Sequence, residues 1–419
     1  MYNGKIPVQL FSEVGELEAV ILHAPNNEVE NMTPETAKRA LYSDILNLAV
    51  ARSEYQQLSG VLNLFTKTFQ VRELLSDVLT IDKVKNVLVE KICKNENVTE
   101  IQDFLLSLSN EELSHQLIEG VLLKKDNLTK FLDKERYALQ PIPNFFFTRD
   151  ASVAMFNNIL ISSMANKVRQ RESIIMETIF NYHPNFLAKT FNPENSVMFS
   201  PLCTMEGGDI LVPREDVLLV GVSCRTSSYG IDFLIEHLKK EGGKFHLIAQ
   251  ELPYSPESFI HLDMVFTFLD SETCMIFAPL ILTPARYLTI RIDIENGEVT
   301  SISQEKNLLS CLNNLNFDLK PLFCGGRDDI FVQEREQWHS GANFFCLAPS
   351  KIIGYGRNTH TIEELNKNGF EVMRANDVIS KQIDIFQYKK CVVTIEGSEL
   401  SRGGGGCRCM TMPVRRKLL

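Results

Sequence analysis

Four polar stretches stand beside short apolar runs and hold side chains able to do chemistry. They are residues 143–150 (PNFFFTRD), 205–209 (MEGGD), 259–263 (FIHLD) and 398–413 (SELSRGGGGCRCMTMP). Between them they supply Cys409 behind a glycine run, His261, and the carboxylates Asp150, Glu206, Asp209 and Asp263. Taken singly, each has an ordinary reading. Four glycines in a row make a flexible turn, and with no Lys-Ser/Thr pair following they are not a phosphate loop. A lone histidine is usually a structural hydrogen bonder. Asp150 after Arg149 suits a helix cap or a surface pair, and Glu206 and Asp209 around two glycines suit a solvated turn. A typical cysteine is buried and inert. On a strand, His261 and Asp263 would share one face at i, i+2.

Absences narrow the chemistry. The sequence has no Cys-x-x-Cys or His-Glu-x-x-His for a metal, and Cys407-x-Cys409 is too tight for a zinc knuckle. It has no Gly-x-Ser-x-Gly elbow for a serine nucleophile. What is left is a Cys/His pair amid carboxylates. Carboxylates raise the pKa of a neighbouring thiol, which hinders acyl chemistry. They make sense when the substrate itself is cationic. A guanidinium is planar, permanently charged and rich in N–H donors, and paired carboxylates can hold it by bidentate hydrogen bonds. Its charge would then help turn Cys409 into a thiolate.

These residues need elements to position them. Residues 16–23 (ELEAVILH) alternate and read as a buried strand. Ala37, Leu41, Ile45, Leu48 and Ala51 recur at helical spacing within 34–70. From 74 to 140 the spacing is helical again, as in Val84, Val87, Leu88 and Ile92, with capping boxes at Thr99–Gln102 and Ser109–Glu112. This predicts an all-helical insertion. Beyond 141, short strands are expected at 158–162, 210–212, 217–222, 265–269, 274–278, 351–355 and 391–395, with helices at 171–180, 230–240 and 361–368. The pattern is α/β. Periodicity alone leaves open whether the strands form an open sheet or a closed ring of small sheets.

The net charge of −10 over 419 residues argues against nucleic acid and against anionic membranes. The one basic run, 415–417, is short. No apolar run approaches the roughly 18 residues a membrane span needs. The N-terminal residues lack the basic and apolar regions of a secretory signal. Ten cysteines without such a signal are expected to be thiols in the cytoplasm.

Together, and in this order, the four stretches resemble the bacterial arginine deiminase family of the guanidino-group-modifying superfamily. Residues 12–17 (SEVGEL), 324–328 (CGGRD), 335–338 (REQW), 341–343 (GAN) and 355–358 (YGRN) carry the same likeness. The resemblance implies a five-bladed, pseudo-fivefold α/β propeller formed by 1–73 and 141–419, with 74–140 as an inserted helical domain. It implies hydrolysis of L-arginine to L-citrulline and ammonia without metal or organic cofactor, in a homo-oligomer (dimer or larger). Cys409 would be the nucleophile and His261 the acid and base, oriented by Glu206. Asp150 and Asp263 would grip the guanidinium. Arg169 and Arg225 would hold the substrate carboxylate, Asn144 and Phe147 would contact the substrate, and Leu41 and Gly403 would contribute at the amino-acid end.

The sequence also departs from that family. Many relatives have an arginine where Gly404 stands, and a glutamate where Cys224 precedes Arg225. Ser43 replaces the first aspartate of a common pair, leaving Asp44. Cys407 is unusual so close to a nucleophile. Two competing readings follow. One is a sibling enzyme, an amidinotransferase or a hydrolase of another guanidine, which Gly404 favours. The other is a non-catalytic arginine-binding relative, against which the presence of all five catalytic candidates argues.

Overall fold

Each short apolar run is too narrow to bury a core alone, and the chain gathers them into five sheets of three or more strands among the described residues. The computed structural model describes residues 4–39, 41–42, 44–196, 200–284 and 286–419, so Ser43 lies outside the described residues. The first sheet joins the two ends of the sequence: Met412–Arg416 runs antiparallel to Leu17–Leu22, which pairs parallel with Lys67–Gln70. The second holds Ser152–Met155, Asn158–Ile161 and Lys189–Phe191. The third begins Ile210–Arg214, Val217–Val222, Lys244–Glu251, and is extended by Thr289–Glu295 and Glu298–Glu305. The fourth holds Phe266–Phe268, Thr273–Ile276 and Lys320–Phe323. The fifth holds Phe345–Ala348, Lys351–Tyr355, Cys391–Ile395 and, at its edge, Glu371–Arg374.

All five share one pattern. The leading strand is antiparallel to its neighbour, and that neighbour is parallel to the next. Parallel neighbours need a long crossover, which a helix usually supplies. The helices Leu48–Phe65, Gln170–Tyr182, Ser228–Glu241, Leu308–Asn314 and Thr359–Lys367 lie in these connections. Among the described residues, no helix is long and apolar enough to cross a membrane.

Two expectations need correction. The helical spacing through 34–51 is broken: one helix ends at Arg39, Leu41 takes a positive φ of 67°, and Leu48–Phe65 starts afresh. Asn47 caps that second helix, its side chain accepting from the Val50 N–H. The stretch 74–140 carries helices but is not all-helical. Gly120, at φ 87°, turns the chain into Val121–Leu122, which pairs antiparallel with Tyr137–Leu139. Strands this short show no alternation in the sequence. Leu88, Ile92, Leu105, Leu113 and Leu117 of this stretch share one apolar core with Ile175 and Ile179 of the helix Gln170–Tyr182.

One buried acid ties this frame to the glycine-rich loop. Glu54, 1% exposed on the helix Leu48–Phe65, accepts the backbone N–H groups of Ser398 (2.8 Å), Glu399 (3.1 Å) and Leu400 (2.9 Å). Glu54→Ala orphans these donors, at about 1–3 kcal/mol for each buried group. Urea unfolding should show a loss of roughly 3 kcal/mol. A change below about 0.5 kcal/mol, the level of an ordinary surface substitution, would show that this contact does not hold the loop.

Candidate active site

Every one of the five sheets places a polar side chain just ahead of its leading strand. Asp150 precedes Ser152–Met155, Glu206 precedes Ile210–Arg214, Asp263 precedes Phe266–Phe268, Asn343 precedes Phe345–Ala348, and Cys409 precedes Met412–Arg416. The segments carrying Asp150, Glu206 and Asp263 adjoin or form short helical turns: Thr148–Ala151, Gly207–Asp209 and Leu262–Met264. His261 and Asp263 therefore do not share a strand face, because a turn rather than alternation aims them. A Cβ on Gly208 would lie 2.4 Å from His261 Nδ1, so only glycine lets the ring lie against this turn.

The side chains converge. Cys409 Sγ lies 3.6 and 3.8 Å from the two carboxylate oxygens of Asp263. His261 Nε2 is 3.0 Å from Glu206 Oε2, and Nδ1 is 3.7 Å from Asp150 Oδ1. All five residues are buried. Asp150 and Asp263 are each half-claimed by an internal arginine. Arg169 donates to Asp150 Oδ2 at 2.8 Å, and Arg408 donates to Asp263 Oδ2 at 2.9 Å. Asp150 Oδ1 and His261 Nδ1 are buried without a hydrogen-bond partner.

The electrostatics follow from these contacts. Burial pulls the His261 imidazole down, but Asp150, the hydrogen bond to Glu206 and Asp209 outweigh it and raise its pKa to about 9. Burial pushes Glu206 up, yet Arg225, His261 and Arg169 bring it down to about 2. Asp209 sits beneath, accepting from the Leu262 N–H and the Ser223 hydroxyl, and burial lifts it to about 7. The Cys409 thiol is pushed well above its ordinary value, first by burial and then by Asp263 and Asp150.

The residues expected at the amino-acid end divide into two groups. Arg225, Leu41, Gly403 and Gly404 line a cavity of about 580 Å³. Arg225 Nη1 has no hydrogen-bond partner and lies 3.7 Å from Glu206 Oε1, so this residue joins the cavity to the acidic cluster. Arg169 does not line the cavity. Its fork is held by Glu172, at 3.1 and 2.8 Å, and its other terminal nitrogen by Asp150. The Asn144 carbonyl accepts from Arg169 Nη2 at 3.4 Å, and Phe147 is buried against Phe146 with ring centroids 4.1 Å apart. Arg225 is the lining residue that reaches this cluster, through Glu206; Cys409, His261, Glu206, Asp150 and Asp263 themselves do not line the cavity. Cys224 is exposed and lines it, whereas Cys407 is fully buried. At its rim Arg402 pairs with Asp44.

Sequence reasoning missed Asn343, Arg408, Glu13 and Glu172. Arg408 is clamped by Glu13 at 3.2 Å through two nitrogens, and Glu13 and Asp263 raise its pKa against the effect of burial. The signal available was position: Arg408 adjoins Cys409, and Asn343 stands in the stretch 341–343. Asp150, Glu206 and His261 each offer one possible metal-ligand atom within 4.8 Å of the others. Arg169 already sets a permanent charge 2.8 Å from Asp150 and 3.8 Å from Glu206, which opposes a divalent cation there.

The sequence matches the arginine deiminase family over residues 38–416. It is 34% identical to an arginine deiminase from Bacillus thuringiensis subsp. konkukian, with 99% of each chain covered. It is 32% identical to one from Borreliella afzelii, covering 98% of each. Among solved structures, it resembles an amidinotransferase of saxitoxin biosynthesis from Microseira wollei (TM-score 0.53, 14% identity, covering 99% of this chain and 98% of that one). It also resembles the N-terminal domain of an arginine dihydrolase from the ornithine–ammonia cycle in cyanobacteria (TM-score 0.53, 13% identity, 96% and 98%). These structural likenesses are to a mixed α/β fold. The chain belongs to the arginine deiminase family.

Proposed function

We propose that the protein hydrolyses L-arginine to L-citrulline and ammonia. The observation that carries this reading is the meeting of a thiol, an imidazole and two aspartates whose outer oxygens are held from behind by arginines. Asp150 Oδ1 in this cluster has no hydrogen-bond donor, and a substrate guanidinium brings both donors and charge to it. Arg225 receives the substrate carboxylate from the cavity side, with Arg169 adding charge across Glu206. Phe147 and Asn144 wall the path, and Leu41 and Gly403 bound the amino-acid end.

Asp150 and Asp263 fix the guanidinium carbon near Cys409. As the guanidinium binds, the Cys409 thiol releases its proton to solvent; the thiolate forms a bond to that carbon, and one carbon–nitrogen bond breaks. His261, protonated near neutral pH, gives its proton to the leaving nitrogen, which departs as ammonia. The S-alkylthiouronium left on Cys409 is attacked by water. Neutral His261 takes one water proton and solvent takes the other, the sulfur–carbon bond breaks with its electron pair on sulfur, and citrulline leaves. Glu206 holds the ring throughout.

The repeated strand order of the five sheets supports a pseudo-fivefold propeller with the site at its centre, and 74–140 is inserted between its first and second sheets. Ten free thiols support a reducing, cytoplasmic setting.

Incubation with L-arginine alone should release citrulline and ammonia in equal amounts. Turnover only with an added acceptor amine would identify an amidinotransferase instead, and arginine binding without ammonia release would identify a non-catalytic relative. Cys409→Ser should abolish turnover in a folded protein, and retained activity would remove Cys409 as nucleophile. Arg225→Ala should raise KM for arginine at least about tenfold, since a charged hydrogen bond contributes roughly 1.5–3 kcal/mol. Equal use of agmatine, which lacks the carboxylate, by the unaltered protein would refute the clamp. The protonation of His261 is testable through stability. Its pKa is 6.5 ordinarily and about 9 when folded, so its stabilisation is complete below pH 6.5 and lost as pH rises through about 9. The stability gap between the unaltered protein and His261→Gln, measured in urea, should narrow over that window. A gap that stays constant would contradict a protonated ring.

A further inference from the structure

Four of the five sheets set a residue with a proposed role ahead of their leading strand, and the fifth sets Asn343. Its side chain is buried, with polar atoms bonded at both ends. Nδ2 donates to Cys409 Sγ at 3.2 Å and to the Asp263 carbonyl at 3.1 Å. Oδ1 accepts the backbone N–H of Arg408 at 2.9 Å and of Cys409 at 3.3 Å. These partners fix the amide's orientation, because a flipped amide would face donors with donors and a carbonyl with a carbonyl. A Cβ on Gly406 would lie 2.5 Å from Oδ1. The last glycine of the run therefore makes room for this amide.

The sulfur has need of such a donor. Carboxylate oxygens of Asp263 face it, and Cys409 is buried. The Gly406 backbone N–H and the Arg408 charge favour the thiolate. Among described side chains, Asn343 alone donates a hydrogen bond to Sγ. A hydrogen bond to the charged form of a group favours that form.

We infer that Asn343 is a further catalytic residue: its Nδ2–H stabilises the Cys409 thiolate, while Oδ1 pins the backbone that aims the sulfur. The inference rests on the assignment of Cys409 as nucleophile in the reaction proposed above. It acts in both halves of that reaction. In the first, Asn343 holds the sulfur charged until the sulfur–carbon bond forms. In the second, that bond breaks as water's oxygen bonds to the carbon, and the electron pair returns to a sulfur already facing an N–H.

Asn343→Asp keeps the acceptor for the Arg408 and Cys409 N–H groups but puts a charge where the donor was, and the isosteric Asn343→Leu removes the donor without adding charge, so a rise in the alkylation midpoint in both variants marks the lost donor. Asn343→Ala removes both. The readout is the rate of iodoacetamide alkylation at Cys409 against pH, followed by peptide mass spectrometry, beside steady-state kinetics with arginine. Asn343→Asp should lower kcat about 100-fold, as expected for the loss of one aimed donor, with a smaller change in KM. The midpoint of the alkylation profile should move up by at least about one pH unit, since hydrogen bonding to a charged form shifts its titration. An unchanged alkylation midpoint in folded Asn343→Asp or Asn343→Leu would overturn the inference. If Asn343→Ala does not fold, these two variants still decide. If the unaltered protein makes no citrulline, the proposed reaction fails while the alkylation profile still tests Asn343.

Discussion

A buried carboxylate stays ionised only while a cation or several donors face it, and leaving one uncompensated costs several kcal/mol. This constraint organises the buried acidic cluster. Glu206 is fully buried between His261, Arg225 and Arg169. Asp150 leans on Arg169 and Asp263 on Arg408, each by a single oxygen. The two arginines are themselves anchored outward, Arg169 by Glu172 and Arg408 by Glu13. Compensation is thus supplied from behind. Asp150 Oδ1 is left without a hydrogen-bond partner, where the proposed substrate would bring its cation.

The acids of this cluster come from separate segments, and the fold holds them together against their mutual repulsion. Each sheet contributes its own side chain from the same position in its strand order, and the pairing of Met412–Arg416 with Leu17–Leu22 brings the C-terminal Cys409 to acids far away in sequence. Local glycines then remove the last steric barriers, as at Gly208 under the His261 ring. Glu54 reaches from a distant helix to hold the chain ahead of the glycine run. Precision at the centre therefore comes from backbone contacts well away from it.

Much of this was legible in the sequence. Cys409, His261 and the acids stand in short polar stretches beside apolar runs, and their order carried the family likeness. The helices Gln170–Tyr182, Ser228–Glu241 and Thr359–Lys367 follow from spacing. Other parts were not legible, for physical reasons. The strand Glu298–Glu305 is almost wholly exposed and polar, so it has no apolar alternation to read. Leu41 fits a helical pattern, but its positive φ turns the chain toward the cavity. Arg169 reads as one of a run of surface charges, and its burial depends on Glu172 and Asp150. Glu13 and Arg408 stand at opposite ends of the chain, and no local pattern announces their pairing. Asn343 stands in the stretch 341–343 that carries the family likeness, but its contact with Cys409 appears only once the first and fifth sheets meet.

The central claim is that an arginine guanidinium completes this half-neutralised cluster beside the sulfur. The most direct measurement is a crystal structure of Cys409→Ser soaked with L-arginine. The account predicts the guanidinium carbon about 3–3.5 Å from the serine oxygen, the near-attack range. The inward oxygens of Asp150 and Asp263 should lie on its nitrogens, and the carboxylate should lie on Arg225. Arginine held in the outer cavity with its guanidinium away from Asp150 and Asp263, or with its ends reversed, would contradict it.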